Sequence, residues 1–352
     1  MNNNYNDFNQ FDDFEKKPTM SKEEMTKHKG VFSKICLAFF IFIISSQLVG
    51  TAIYAIISAA APDLLKNSNF NLILNSVVQY GISFPIFFFF IKKLPASTPS
   101  QRSLTVKEFL KLSTIAIFVM EIGNYLSGII LTLLEENLGF LPENGVDTLL
   151  SESTVILSLF IVGIVGPIVE EIMFRKLAID RLLPYGEKIA VFLPAFIFGL
   201  IHGNFYQFFY AFFLGVLFSF IYVKTGKIIY STVLHCFINI FCGVLPAYAI
   251  SKIDPEELLE LVSTGNIPPE YLEQNYAVLS FLSIYGIILT GMLIVGVFTF
   301  NRNLFRIRFN KGEITLPKGS GAEIIFFNAG AIALIVICFI IIALNTFTPA
   351  AL

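Results

Sequence analysis

The segment Val155–Leu183 reads VILSLFIVGIVGPIVEEIMFRKLAIDRLL. It is long and apolar enough to cross a bilayer as a helix, yet it carries Glu170, Glu171 and Arg175 at its centre. Ionisable side chains at membrane depth cost about 2.5–3.5 kcal/mol each on insertion scales. They persist where they face a protein cavity, pair with one another or do chemistry. On a helix, Glu171 and Arg175 stand four residues apart on one face, with the acid N-terminal to the base, the better order for an ion pair. Their plain reading is a buried structural salt bridge. Glu170 points about 100° away around the helix, towards the side of Phe174 and Leu177, where no basic partner follows it. A functional role accounts for it better than a structural one. Pro167 cannot donate to the helix ladder, and the kink it favours would open space beside Glu170.

Composition agrees with a membrane setting. Of 352 residues, 55% are hydrophobic, and the mean hydropathy is +0.73, which excludes an ordinary soluble globule. The class is an all-α polytopic membrane protein. A net charge of -2 says little, because the placement of charge matters more than its sum. Cys36, Cys236, Cys242 and Cys338 lie in apolar stretches without CxxC spacing and read as small hydrophobes. The chain has no Gly-rich phosphate loop, no GxSxG, no HExxH and no continuous basic patch for nucleic acid.

Residues 1–33 read as a disordered cytoplasmic tail, polar and without apolar period to Gly30. Residues 34–347 read as a transmembrane domain of nine spans: Lys34–Ala61, Phe70–Ile91, Val106–Leu134, Val155–Leu183, Lys188–His202, Tyr206–Val223, Ile228–Ile250, Ala277–Phe300 and Ala322–Phe347. The fifth barely reaches spanning length, and a partial helix there leaves eight. Lysines and arginines cluster in the tail and in alternate loops. Other loops are acidic, such as the one holding Glu135, Glu136, Glu143 and Asp147. This bias puts the N-terminus in the cytoplasm of a multi-pass protein of the cell membrane.

Two further segments bring polar side chains to membrane depth: Phe198-Gly199-Leu200-Ile201-His202 and His235-Cys236-Phe237-Ile238-Asn239. Each pair spaced four apart shares a helix face. Counting from the basic helix ends, Glu170 lies roughly 18 Å deep, His202 about 21 Å and His235 about 10 Å, so the three can meet. Singly, each histidine could be a polar residue bonding across helices. Together, one acid, two imidazoles and an amide are what amide hydrolysis needs: a base, a partner to hold water, and oxyanion donors. Glu170, His202 and His235 would also suit zinc, since a carboxylate with two histidines and an open position is a known arrangement. Glu121, mid-span with Asn124 three residues on, reads best as pairing with another helix.

The ordered set Glu170-Glu171-x-x-x-Arg175, Phe198-x-x-x-His202 and His235-x-x-x-Asn239 resembles the CPBP family of intramembrane proteases. That family takes in the type II CAAX prenyl proteases and the Abi, bacteriocin-processing proteins. The resemblance covers a four-helix core at 155–245 and implies an endopeptidase acting on membrane-associated or lipidated peptides, of CAAX type or like a bacteriocin or pheromone. It makes Glu170 the general base and His202 its partner on the water, with His235 and Asn239 at the oxyanion. Glu171, Arg175 and Phe198 give structural support. A metal-free mechanism is favoured over zinc, because a carboxylate withdrawn from water is the stronger base. Two rival functions stay open. One is a non-catalytic scaffold or bacteriocin self-immunity partner. The other is a transporter, which the absence of an internal repeat disfavours.

Overall fold

The computed structural model describes residues 20–139, 144–304 and 307–347. Within them the chain is helical, with no strand, and eight helices are long and apolar enough to cross a membrane. They are α1 (Lys22–Ala60), α2 (Ser68–Ile91), α3 (Val106–Leu138), α4 (Val155–Tyr185), α6 (Phe205–Thr225), α7 (Ile228–Ile250), α8 (Tyr276–Leu304) and α9 (Ala329–Phe347). Between α4 and α6 lies α5 (Glu187–Ile201), of 15 residues. At 1.5 Å per residue it is about 22 Å long, short of a hydrocarbon core of about 30 Å. This is a multi-pass membrane protein of eight candidate spans, the lower of the two counts the sequence allows.

The first helix starts earlier than the polar composition suggests. Ser21 and Glu24 cap each other's backbone groups, so residues 22–33, read from sequence as tail, extend α1. The remaining tail reading, at 1–19, lies outside the described residues. A reciprocal cap satisfies two of the N–H groups that a helix start leaves orphaned, which is how a polar stretch can enter the helix.

Three helices change pitch near the site. The backbone widens to π-type turns at Val77–Ser83 in α2, at Ile161–Val165 and Ile172–Ile179 in α4, and at Asn239–Val244 in α7. Such turns shift the phase of a helix and gather at functional sites. Those in α4 flank Gly166–Glu171 on both sides, with Pro167 in the first turn of that short stretch.

Packing at the centre is aromatic. Phe39 of α1 stacks on Phe174 of α4 at 4.9 Å between ring centres, and Phe174 meets Phe198 of α5 edge-on at 4.9 Å. Close approach elsewhere depends on a missing side chain. A Cβ at Gly123 of α3 would fall inside the backbone of Phe209 and Tyr210 of α6, in keeping with the small residues that let membrane helices touch. α8 packs on the outside of this assembly, through Phe300 on Phe118 at 5.3 Å and Tyr285 on Phe241 at 5.1 Å.

α5 and α6 form a hairpin whose open end is pinned. Lys224 pairs with Glu187, and Glu187 also accepts from the Asn310 backbone N–H at 2.7 Å and its amide at 3.0 Å. The closed end, carrying His202, is thereby held about 22 Å away inside the bundle.

Candidate active site

Glu170 and Glu171 are adjacent on α4, and the structure gives them different surroundings. Glu171 is fully buried, with Oε2 3.1 Å from Arg175 Nε. Arg175 is equally buried, and its guanidinium lies over three phenyl rings: Phe198 at 5.0 Å, Phe218 at 5.4 Å and Phe174 at 5.7 Å. Its charge thus meets one carboxylate and three ring faces, a cation–π setting worth more when desolvated. Glu170 keeps 24% of its side chain exposed and lines a cavity of about 640 Å³.

His235 of α7 connects the two acids. Its Nδ1–H donates to Glu171 Oε1 at 3.0 Å, and its Nε2 lies 3.6 Å from Glu170 Oε2. The ring is buried, edge-on to Phe198 at 5.8 Å and tilted on Phe218 at 5.0 Å. A carboxylate on Nδ1 fixes the tautomer and aim of an imidazole, leaving Nε2 to work.

His202 follows the last residue of α5. Its Nδ1–H donates to the Phe198 carbonyl at 2.6 Å, so its Nε2 is the free nitrogen, and the residue lines the same cavity as Glu170. The turn that carries it is built by neighbours. Asn204 caps α6 by accepting from Gln207 N–H at 2.9 Å and donates to the His202 carbonyl at 2.8 Å. Asn345 of α9 donates to the Gly203 carbonyl at 2.9 Å. Phe198 is the common wall of the site, touching Arg175, both histidines and Phe174.

Asn239 stands apart. Its amide donates to the Val162 carbonyl of α4 at 3.0 Å, and it lines an adjoining cavity of about 480 Å³. The structure therefore brings Glu170, Glu171, Arg175, Phe198, His202 and His235 together, and places Asn239 beyond them. Among the described residues, no three His, Cys, Asp or Glu side chains stand so as to hold a metal ion. Glu170, His202 and His235 thus do not form the zinc set that their residue types allow.

Sequence reasoning passed over several polar residues on the Glu170 cavity. Tyr80 reaches it from the π-type turn of α2, and its hydroxyl would lie 2.9 Å from a Cβ at Gly166. Gln207 and Asn345 also line it. Asn204 and Gln207, three apart at the edge of an apolar run, form a readable helix start. Tyr80 gave no such signal.

Residues 152–241 match the family model described as type II CAAX prenyl endopeptidase Rce1-like. This stretch is an Rce1-like domain. It contains Glu170, His202, His235 and Asn239, and its family is one of proteases acting on peptides. No curated protein and no solved structure matches the chain.

Proposed function

We propose that the protein is an intramembrane endopeptidase in which Glu170 activates water to hydrolyse a peptide bond of a membrane-associated or lipidated peptide. One observation carries this reading: Glu170, the part-exposed acid of an Rce1-like domain, shares a cavity with His202 while His235 is locked on Glu171 with Nε2 towards it. Water held between the Glu170 carboxylate and His202 Nε2 loses a proton to Glu170 as its oxygen bonds the scissile carbonyl carbon. The carbonyl oxygen takes up the negative charge. When the tetrahedral adduct collapses, the C–N bond breaks and Glu170 hands the proton to the leaving amine, so its carboxylate form is regenerated.

The other residues serve geometry. Glu171 sets the ring of His235, Arg175 balances Glu171, and Phe198 fixes both imidazoles. His235, whose Nδ1–H is held by Glu171, assists the oxyanion from Nε2 in its imidazolium form, the state in which both ring nitrogens donate. Asn239 acts at one remove by tying α7 to α4. The basic ends of the helices support a cytoplasmic N-terminus in the cell membrane.

The test is a comparison of peptide termini, by mass spectrometry, in membranes from cells making the wild type or Glu170→Ala at matched levels. Termini that depend on Glu170 are expected. If none appeared, and Glu170→Ala replaced the wild type in every phenotype of deletion, a non-catalytic scaffold would be the function instead.

A further inference from the structure

The cavity that holds Asn239 adjoins the Glu170 cavity: Asn144 and Gln207 line both. Its own polar wall comes from α3. Glu121 faces it, with Asn124 one turn on lining the same cavity. Ser127 lies further along, 3% exposed, and its hydroxyl has no hydrogen-bond partner among the described residues. A pairing of Glu121 with another helix is what its sequence suggests, yet among the described residues no Lys, Arg or His forms an ion pair with it. The facing wall carries the rings of Tyr206, Tyr210 and Tyr285.

A membrane-embedded carboxylate, a spare hydroxyl acceptor and aromatic faces together suit one ligand chemistry. An ammonium or guanidinium group donates to oxygen acceptors and lies favourably over aromatic rings. A neutral or anionic group would leave the carboxylate uncompensated at membrane depth. We infer that this second cavity is a subsite for a basic residue of the bound peptide, with Glu121 as its counter-ion beside the cleavage site. Its use in selecting substrates rests on the protease reading; the binding itself does not.

Binding can be measured without cleavage or a known substrate. The probes are two synthetic Leu/Ala-rich helical peptides of about 20 residues, spanning length, each with one Trp and differing only in Lys or norleucine at the midpoint. The chain has no Trp, so Trp anisotropy reports the peptide alone. The full chain in phosphatidylcholine liposomes carries Glu170→Gln, which removes the other acid that faces these cavities among the described residues. It should hold the Lys peptide about tenfold more tightly, the equivalent of about 1.4 kcal/mol. Adding Glu121→Gln should abolish the difference. A Lys preference that survives Glu121→Gln overturns the inference. So does equal affinity for the two peptides in the Glu170→Gln protein, which decides the matter even if the double variant fails to fold. A Glu121-dependent preference without Glu170-dependent termini would retain the subsite and remove the protease.

Discussion

Replacing Glu171 with Gln should damage the fold more than the small chemical change suggests. The substitution keeps shape and removes one charge, leaving the guanidinium of Arg175 fully buried with only ring faces around it. Breaking a buried pair by removing one partner costs about 3–5 kcal/mol, because the remaining charge is uncompensated. Set against a total stability of about 5–15 kcal/mol, this is a large fraction. Removing both charges, as in Glu171→Leu with Arg175→Met, should recover that loss, since replacing a buried pair by apolar residues of similar volume relieves the desolvation of both ions and is neutral or stabilising by about 1–4 kcal/mol relative to the pair. The assay is equilibrium unfolding of the three purified proteins by dodecyl sulfate in mixed micelles, with helix content as the signal. A Glu171→Gln protein within about 0.5 kcal/mol of wild type, a shift usual for neutral surface changes, would refute the assigned pairing. A double variant no more stable than the single would refute it equally.

Three other outcomes are expected. EDTA should leave Glu170-dependent cleavage at its untreated rate in washed membranes, because the three candidate ligands do not stand as a metal set; loss restored by zinc would reverse that expectation. Gly123→Val should split α3 from α6, since even a Cβ collides with backbone there, and overpacking a tight contact costs about 1–3 kcal/mol; a variant with the wild-type melting temperature in detergent would contradict it. Asn239→Leu should cost about 0.6–1.7 kcal/mol, the range for hydrogen bonds between membrane helices, and should lower cleavage less than Glu170→Ala does; equal loss of cleavage in the two variants would put Asn239 at the reacting atoms.

The sequence made the polar residues visible because the membrane makes them expensive. Glu170, Glu171, Arg175, His202 and His235 stand out from an apolar background for that reason, and their i, i+4 spacing already suggested the Glu171–Arg175 pair seen at 3.1 Å. What spacing could not give was partnership between helices. His235 bonds Glu171 across 64 residues of chain, and no periodicity within one helix encodes that contact. Asn239 also finds its partner on another helix. Its backbone N–H still bonds the His235 carbonyl in a regular turn, but its amide donates to the Val162 carbonyl of α4, a contact that spacing within α7 does not encode. The start of α1 was missed because composition averages over a capping signal of four residues, Ser21 to Glu24.

Two adjacent carboxylates on one helix can take opposite tasks only if their environments differ within one residue. Helix geometry supplies the first half of that difference, since neighbours point about 100° apart. The second half comes from α7. His235 enters between the acids and gives its Nδ1–H to Glu171 Oε1, while Oε2 faces Arg175 Nε at 3.1 Å as an ion pair without a hydrogen bond. Among the described residues, the ion-pair contact of Glu170 is with the far nitrogen of the same ring, at 3.6 Å, and the acid keeps an open side on the cavity. A fully buried carboxylate held against a fixed cation and an imidazole N–H has no room for water, while one that faces a cavity can take a proton from water held there. The assignment of Glu170 rather than Glu171 as the base thus rests on how one imidazole is shared, and substitution of His235 should disturb both acids at once.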